Sequence, residues 1–336
     1  MLPAKNLFSI VGPTANGKTG FAFNLAEAFD FSWNVISADS RQVYKGMEIG
    51  TGVDLPANFS KTGPDELDPF PYFQDGKLTL HGVSLCNPNE AWSLTHFRKL
   101  CQPILQKSWS DQSSVPVIVG GTGLYHRQLF NQDVQLELAP NFELRANAEA
   151  LPVIELQEWL AKLDAAKLAA LNNSDKQNPR RLIRAIEVAE HSKVGLQPEP
   201  PSKSLIDDSE IRHLQIGLVD ELENIAVKIQ QRVEERLRLG MIAEVEKLLS
   251  EYSPTDWELP AFSATGYKEV RAYLADQLDL SQMKELWCRR ELQYAKRQLT
   301  WWKKESGITW FHVSLPNWQE NANQVVKNWL KGSHLQ

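Results

Sequence analysis

Between the apolar run Leu7-Phe8-Ser9-Ile10-Val11 and residues 18–29 stands Gly12-Pro13-Thr14-Ala15-Asn16-Gly17-Lys18-Thr19, which fits the pattern G-x-x-x-x-G-K-[ST]. The run reads as a buried strand, and the following segment, apolar at Phe21, Leu25, Ala28 and Phe29, as a helix. A glycine-rich backbone between strand and helix can curl until its N–H groups point at phosphate oxygens, and the helix N-terminus adds a positive dipole end. Lys18 brings a point charge for a terminal phosphate, and Thr19 a hydroxyl for Mg²⁺. The loop alone does not say which phosphate compound binds. Nucleotide kinases, NTPases and pyrophosphate-releasing transferases share it.

Two more short apolar runs end in small or polar residues. Val35-Ile36-Ser37 leads into Ala38-Asp39, and residues 115–119 lead into Gly120-Gly121-Thr122-Gly123. Residues 213–219 are a further strand candidate, and helix-like text lies at 92–105, 225–238, 243–251 and 281–304. Strand, turn and helix in alternation predict an α/β chain, a P-loop NTPase-like parallel sheet with crossover helices. Residues 56–88, rich in Pro, Gly and Asp, read mostly as loop with a hairpin at Asp75-Gly76. From residue 142 the text turns to short helices, 142–150, 153–163, 165–171 and 179–191, punctuated by Pro, Asn and Ser. The expectation is a helical insertion domain over 134–196, a Pro-rich turn at 197–202, and a core assembled from 1–133 and 197–336.

A chain of 336 residues, 42% hydrophobic, buries a sizeable core without disulfide or metal staples. Cys86, Cys101 and Cys288 stand far apart, with no CxxC pair, so reduced thiols are expected. The first apolar run is too short for a signal peptide, and no stretch approaches a membrane span. We therefore expect a cytoplasmic protein with no membrane partner. The formal net charge is -6, so any nucleic-acid surface must be a local patch.

Two patches qualify. In residues 286–304, Arg289, Arg290, Lys296, Arg297, Lys303 and Lys304 oppose the single acid Glu291, a local excess of +5, with Trp301 and Trp302 alongside. Arg180, Arg181 and Arg184 share another predicted helix, Arg180 and Arg184 at i, i+4 on one face. A charge run also suits a solvated helix face, and tryptophans also suit a core. Asp39, at the C-terminal end of a strand beside the loop, faces a ligand crevice as metal ligand or general base, or caps the next helix. Thr122, in its glycine-rich turn, is placed to donate to an oxyanion.

GPTANGKT, ISADSRQVYKGMEIGT, VGGTGLY, NPRRLIRAIEV, ATGYKE and AKRQLTWW run from Gly12 to Trp302 in the order seen in tRNA dimethylallyltransferases, also called tRNA isopentenyltransferases. The chain resembles that family over nearly its whole length. The resemblance implies transfer of a dimethylallyl group from dimethylallyl diphosphate to N6 of adenosine 37 beside the tRNA anticodon. Under it, Gly12, Pro13, Thr14, Ala15, Asn16, Gly17, Lys18 and Thr19 hold the diphosphate together with Arg232 and Arg236. Asp39 is the general base, Lys18 and Thr122 are further catalytic groups, and Mg²⁺ lies on Thr19 and Asp39.

The resemblance assigns tRNA contacts to Asp39, Ser40, Arg41, Gln42, Thr122, Arg145, Arg180, Arg181, Arg184, Gly266, Tyr267, Lys268, Lys296, Arg297, Gln298, Thr300, Trp301 and Lys303. RNA would be gripped between insertion and core, its target adenine flipped from the stack. The implied partners are the tRNA anticodon stem-loop and dimethylallyl diphosphate, on a monomer. Arg232 and Arg236 are also spaced to pair on a surface with Glu234 or Glu235.

The chain departs from its relatives at three places. Gly52-Val53-Asp54 replaces Ala-Lys-Pro, removing a cation, His81-Gly82-Val83-Ser84 replaces a His…Asp-Ile region, and Leu292 stands where arginine is common. Three other activities compete. A dimethylallyltransferase acting on AMP, ADP or ATP shares the loop and Asp39 but needs neither the insertion nor the basic helix. A small-molecule kinase gives VGGTGLY and AKRQLTW no purpose. A non-catalytic RNA binder has no need of Lys18, Thr19, Asp39 and Thr122.

Overall fold

The computed structural model describes residues 5–56, 58–64, 70–110, 114–130, 141–193, 206 and 211–332. Two compact units divide the chain, one of residues 1–130 and 205–336, the other of residues 131–204. The Pro-rich segment 197–202 lies outside the described residues.

In the larger unit, β1 (Lys5–Val11), α1 (Lys18–Ala28) and β2 (Ser32–Ser37) follow in order, then the short α2 (Glu48–Thr51). Three strands occupy the stretch expected to be mostly loop: β3 (Ser60–Thr62), β4 (Tyr72–Asp75) and β5 (Leu78–His81). Gly76, at φ +53, turns the β4–β5 hairpin there. α3 (Leu94–Ser110), β6 (Ser114–Gly120) and α4 (Gly123–Phe130) complete the first half.

The second half of this unit comes after the insertion. It holds β7 (Ile211–Val219), α10 (Leu222–Arg238), α11 (Met241–Glu251), α12 (Tyr267–Leu274), α13 (Leu280–Trp302), β8 (Ile308–His312) and α14 (Trp318–Gly332). The eight strands form one sheet in the order β3-β4-β5-β2-β6-β1-β7-β8. It is parallel from β5 to β8, with β3 and β4 added antiparallel at one edge. The chain is an α/β protein with a mostly parallel sheet.

Side chains alternate across a strand, so neighbours on β1, β2 and β6 serve opposite faces. Phe8, Val35 and Val117 pack with Phe21 and Leu25 of α1 and with Ala322, Val326 and Leu330 of α14. Leu7, Ile36 and Ile118 pack instead with Phe97, Leu100 and Ile104 of α3 and Leu129 of α4. All seven residues of β6 are buried, which is why its text reads as continuous apolar residues and not as alternation. A third apolar cluster joins α10, α11, α12 and α13 around Trp257, Phe262 and Trp287.

The smaller unit consists of α5 (Phe142–Glu149), α6 (Val153–Leu163), α7 (Ala165–Ala170), α8 (Asn173–Lys176) and α9 (Pro179–Lys193). It has its own core of Ala148, Leu156, Leu160, Leu182, Ile183 and Ile186. Asn141, Asp164 and Asn172 cap three of its helices by accepting backbone N–H groups, so the polar punctuation in the sequence marks helix starts.

Candidate active site

The C-terminal ends of β1, β2 and β6 lie side by side in the sheet, and each feeds a turn rich in small or polar residues. A parallel sheet places its ligand crevice there. After β1, Gly12 adopts φ +127, and a Cβ on it would fall 2.2 Å from the carbonyl oxygen of Leu218 on β7. Only glycine fits, so the loop turns tightly against its neighbouring strand. Asn16 fixes the loop further by donating from Nδ2 to the same carbonyl at 3.3 Å. Lys18 Nζ donates to the Pro13 carbonyl at 2.6 Å, folding the ammonium back over the loop. Burial, then the nearby Arg232, lower the Lys18 pKa to about 7, while Asp39 pulls it upward.

Thr14, Lys18 and Thr19 line a cavity of about 960 Å³ together with Asp39, Ser40, Arg41, Gln42, Arg232, Arg236, Glu291, Tyr294, Arg297 and Gln298. Phe23, Val35, Val53, Leu80 and Val83 give the same cavity an apolar side. Asp39 Oδ1 accepts the Arg41 backbone N–H at 2.8 Å, which fixes the carboxylate within its turn. Ser37 donates its hydroxyl to Gln42 Oε1 at 2.6 Å, and Gln42 donates to the Gly52 carbonyl at 2.9 Å, tying the β2 turn to α2. Arg41 reaches Ser263 at 2.9 Å. The Thr122 hydroxyl is buried beside the phenol of Tyr294, whose pKa is pushed up to about 12 by burial and by the charge of Asp39.

Arg232 and Arg236 rise from α10 and turn toward the loop, not toward Glu234 or Glu235. Arg232 Nη1 donates to Thr14 Oγ1 at 2.9 Å, and Arg236 Nη1 lies 3.4 Å from Glu291 Oε2. Cationic groups therefore gather where the loop presents its amides, with Asp39 lining the same cavity. The arrangement can hold a polyanion, withdraw charge from it, and accept a proton from a second molecule beside it.

Comparison with known proteins bears on this cavity. The family model described as "IPP transferase" matches residues 42–305, and that described as "Isopentenyl transferase" matches residues 5–67. The tRNA dimethylallyltransferase of Gloeothece citriformis is 32% identical over 329 residues, with 96% of each chain covered. That of Alkaliphilus oremlandii is also 32% identical over 329 residues, with 98% of each covered. The chain belongs to the IPP transferase family. It is thus a prenyl-transferring enzyme by family. The crystal structure of the full-length tRNA isopentenylpyrophosphate transferase from Bacillus halodurans is similar at a TM-score of 0.65 and 28% identity, covering 98% of each chain.

Relative to the sequence expectations for this IPP transferase, several residues take different places. Tyr267 is fully buried, its hydroxyl 2.8 Å from both the Met47 carbonyl and Glu244 Oε1. Gly266 is buried against Trp287. Neither presents surface to RNA. Both instead lock α12 to α2 and α13, while Lys268 beside them is exposed and pairs with Glu258 at 3.7 Å. Gln298, expected at an RNA interface, is buried and accepts the Thr14 backbone N–H on Oε1 at 2.9 Å. Trp302 is core, donating to the Gly121 carbonyl at 3.2 Å, and Trp301 stacks under Arg127.

Arg289, Lys296, Arg297 and Thr300 lie exposed on α13, and Lys303 and Lys304 just after it, although Arg290 is paired with Glu269. In the insertion, Arg145 and Arg184 converge on the buried Glu187. Arg145 Nε is 2.7 Å from Oε1, and Arg184 Nη1 is 2.9 Å from Oε2. These two arginines tie α5 to α9 through one carboxylate, which offsets one of their two positive charges. Arg181 pairs with Asp175, and Arg180 is exposed.

In the sequence, Glu291 reads only as the lone acid of a basic stretch, and Tyr294 draws no notice. Glu291 stands one helical turn after Trp287, and Trp287 is buried, which already places Glu291 on the inward face of α13. The departures also find explanations. Leu292 packs into the apolar cluster of α10–α13, and Ser84 donates to Glu48 at 2.7 Å. No helix among the described residues is long and apolar enough to cross a membrane.

Proposed function

We propose that this IPP transferase moves the dimethylallyl group of dimethylallyl diphosphate to N6 of adenosine 37 beside a tRNA anticodon, releasing diphosphate. The observation that carries the reading is the convergence of the loop, Lys18, Arg232 and Arg236 on one cavity that Asp39 also lines. The C1–O bond of the allylic diphosphate breaks, its electron pair leaves on the diphosphate, and C1 forms a bond to N6. Charge grows on the departing oxygens in the transition state, so fixed cations and loop amides there lower the barrier. Lys18 and the two arginines supply that positive charge. The exocyclic amine is a weak nucleophile, and Asp39 takes its proton as it attacks.

A hard cation suits the donors present. The Thr19 hydroxyl and the Asp39 carboxylate both line the cavity, and no group of three or more His, Cys, Asp or Glu among the described residues forms a closed protein cage. Mg²⁺ there, on Thr19 or Asp39 with diphosphate oxygens and waters, would neutralise leaving-group charge.

The apolar residues Phe23, Val53 and Leu80 offer the hydrocarbon a dry wall. The exposed cations of α13 favour a polyanionic acceptor over a free nucleotide. An anticodon stem-loop carrying A36-A37-A38 is compared with AMP and ATP as acceptor, with dimethylallyl diphosphate and Mg²⁺. Transfer to the stem-loop alone is expected. Transfer to AMP or ATP at a comparable rate overturns the tRNA reading.

A further inference from the structure

Arg232 and Arg236 stand one turn apart on α10 and face the same wall, where their like charges repel. Glu291 lies between them and the phosphate loop. Its Oε2 is 3.4 Å from Arg236 Nη1, and its Oε1 is 3.9 Å from Arg232 Nη1. The same carboxylate receives Trp287 Nε1–H at 3.1 Å, the Thr265 hydroxyl at 3.3 Å and the Thr14 hydroxyl at 3.5 Å. Burial opposes its charge, but Arg236 and Arg232, with the bonds from Trp287 and Thr265, hold the carboxyl below its usual range, so it stays anionic. Thr14, with its hydroxyl hydrogen on Glu291, keeps a lone pair for Arg232.

The opposite side of the pair is bare backbone. Gly52 sits at φ +69, and a Cβ on it would fall 2.6 Å from Arg236 Nη2 and 2.7 Å from Arg232 Nη2. The guanidinium groups thus fill the volume a side chain would need.

Resting on the transfer reading above, we propose that Glu291 is a positioning residue, which holds Arg232 and Arg236 against the backbone of Gly52 and aims them at the leaving diphosphate. A bound diphosphate is attracted by the net charge of the site whatever the aim of each arginine. The transition state rewards only donors already pointed at the oxygens where charge develops. Glu291 therefore acts on turnover more than on the affinity for released pyrophosphate.

The test combines transfer kinetics, pyrophosphate binding and ¹⁵N-arginine side-chain NMR on the full chain, for wild type, Glu291→Gln and Gly52→Ala. Glu291→Gln removes the charge and keeps the volume. Gly52→Ala leaves every charge in place and displaces the two guanidinium groups, and melting curves of both variants separate a loss of aim from a loss of stability. Each is expected to lower kcat by about 10–100-fold, below the cost of deleting a whole donor, while pyrophosphate Kd changes less than about threefold. The wild type shows two slowly rotating guanidinium groups that become freely rotating in Glu291→Gln. Unchanged kcat in both variants overturns the proposal, as does parallel loss of turnover and pyrophosphate binding with the arginine signals unaltered. If wild type transfers nothing but Glu291→Gln still frees the guanidinium groups, the transfer reading falls and the positioning role stands.

Discussion

Gln298 on α13 accepts the backbone N–H of Thr14 at 2.9 Å, so the helix that exposes Arg289 and Lys296 also closes a hydrogen bond of the phosphate loop. A buried N–H stripped of its acceptor costs about 1–3 kcal/mol. In Gln298→Leu the loop relaxes to recover that loss. The variant is expected to melt earlier and to show a raised KM for dimethylallyl diphosphate. An unchanged KM would show that the loop holds its shape without α13.

Asp39 and its amide differ in little but the proton they accept. Asn at this position keeps an Oδ1 for the Arg41 N–H, so the turn survives. Asp39→Asn is therefore expected to lower kcat by about 10²–10⁴-fold with the KM for dimethylallyl diphosphate nearly unchanged. Steady-state kinetics at saturating stem-loop separates the two. A loss confined to KM contradicts the base assignment.

Asp220 anchors the turn from β7 into α10 and so sets where Arg232 and Arg236 emerge. Its buried carboxylate accepts Lys228 Nζ at 2.5 Å, Asn224 Nδ2 at 2.9 Å and the Glu221 N–H at 2.9 Å. Burial raises its pKa, but these bonds and one from Ser314 prevail and lower it from 3.8 to about 2. A depressed carboxylate stabilises the fold above its unfolded pKa and loses that contribution as pH falls through the folded one. The contribution, about 2 kcal/mol at neutral pH, fades between pH 4 and pH 2. Denaturant melts of wild type and Asp220→Asn should differ at pH 6 and converge toward pH 2.

Lys296 on α13 and Lys303 and Lys304 just after it lie exposed, outside the cavity lining that Arg297 joins. Their joint replacement by Ala should weaken stem-loop binding and shallow its dependence on log salt by about 2–3, roughly one for each phosphate no longer neutralised. Pyrophosphate affinity should hold. Binding that keeps its salt slope would place the RNA elsewhere.

The β1–loop–α1 unit, β2, β6 and β7 were legible because local rules fix them: short apolar runs stopped by glycine or by a polar turn, then helical spacing. The hairpin of β4 and β5 was legible only at its Asp75-Gly76 turn, since its flanking strands are only four residues each and β4 is partly exposed. The edge strand β8 and the helix α14 went unread, although Ala322, Val326 and Leu330 recur every fourth residue and are all buried. Asp39 and Lys18 could be read from position beside the loop. Glu291 and Gln298 could not, because their partners, Thr14, Arg232 and Arg236, come from distant parts of the chain. Tyr267 misled for the same reason, and the ion pair of Arg145 was hidden with it. A cation reads as unpaired until Glu187 is seen beside it, and a tyrosine reads as an interface residue until Met47 and Glu244 are seen around its hydroxyl.

If one cavity joins an allylic diphosphate to a single adenine of tRNA, the product carries one added group at one place. The most direct measurement treats an unmodified full-length tRNA with the enzyme, dimethylallyl diphosphate and Mg²⁺, digests the product, and locates the added group by mass spectrometry. One dimethylallyl group is expected, on adenosine 37, and none on a tRNA with guanosine at that position. Modification scattered over other adenines, or none while tRNA and pyrophosphate still bind, would contradict it.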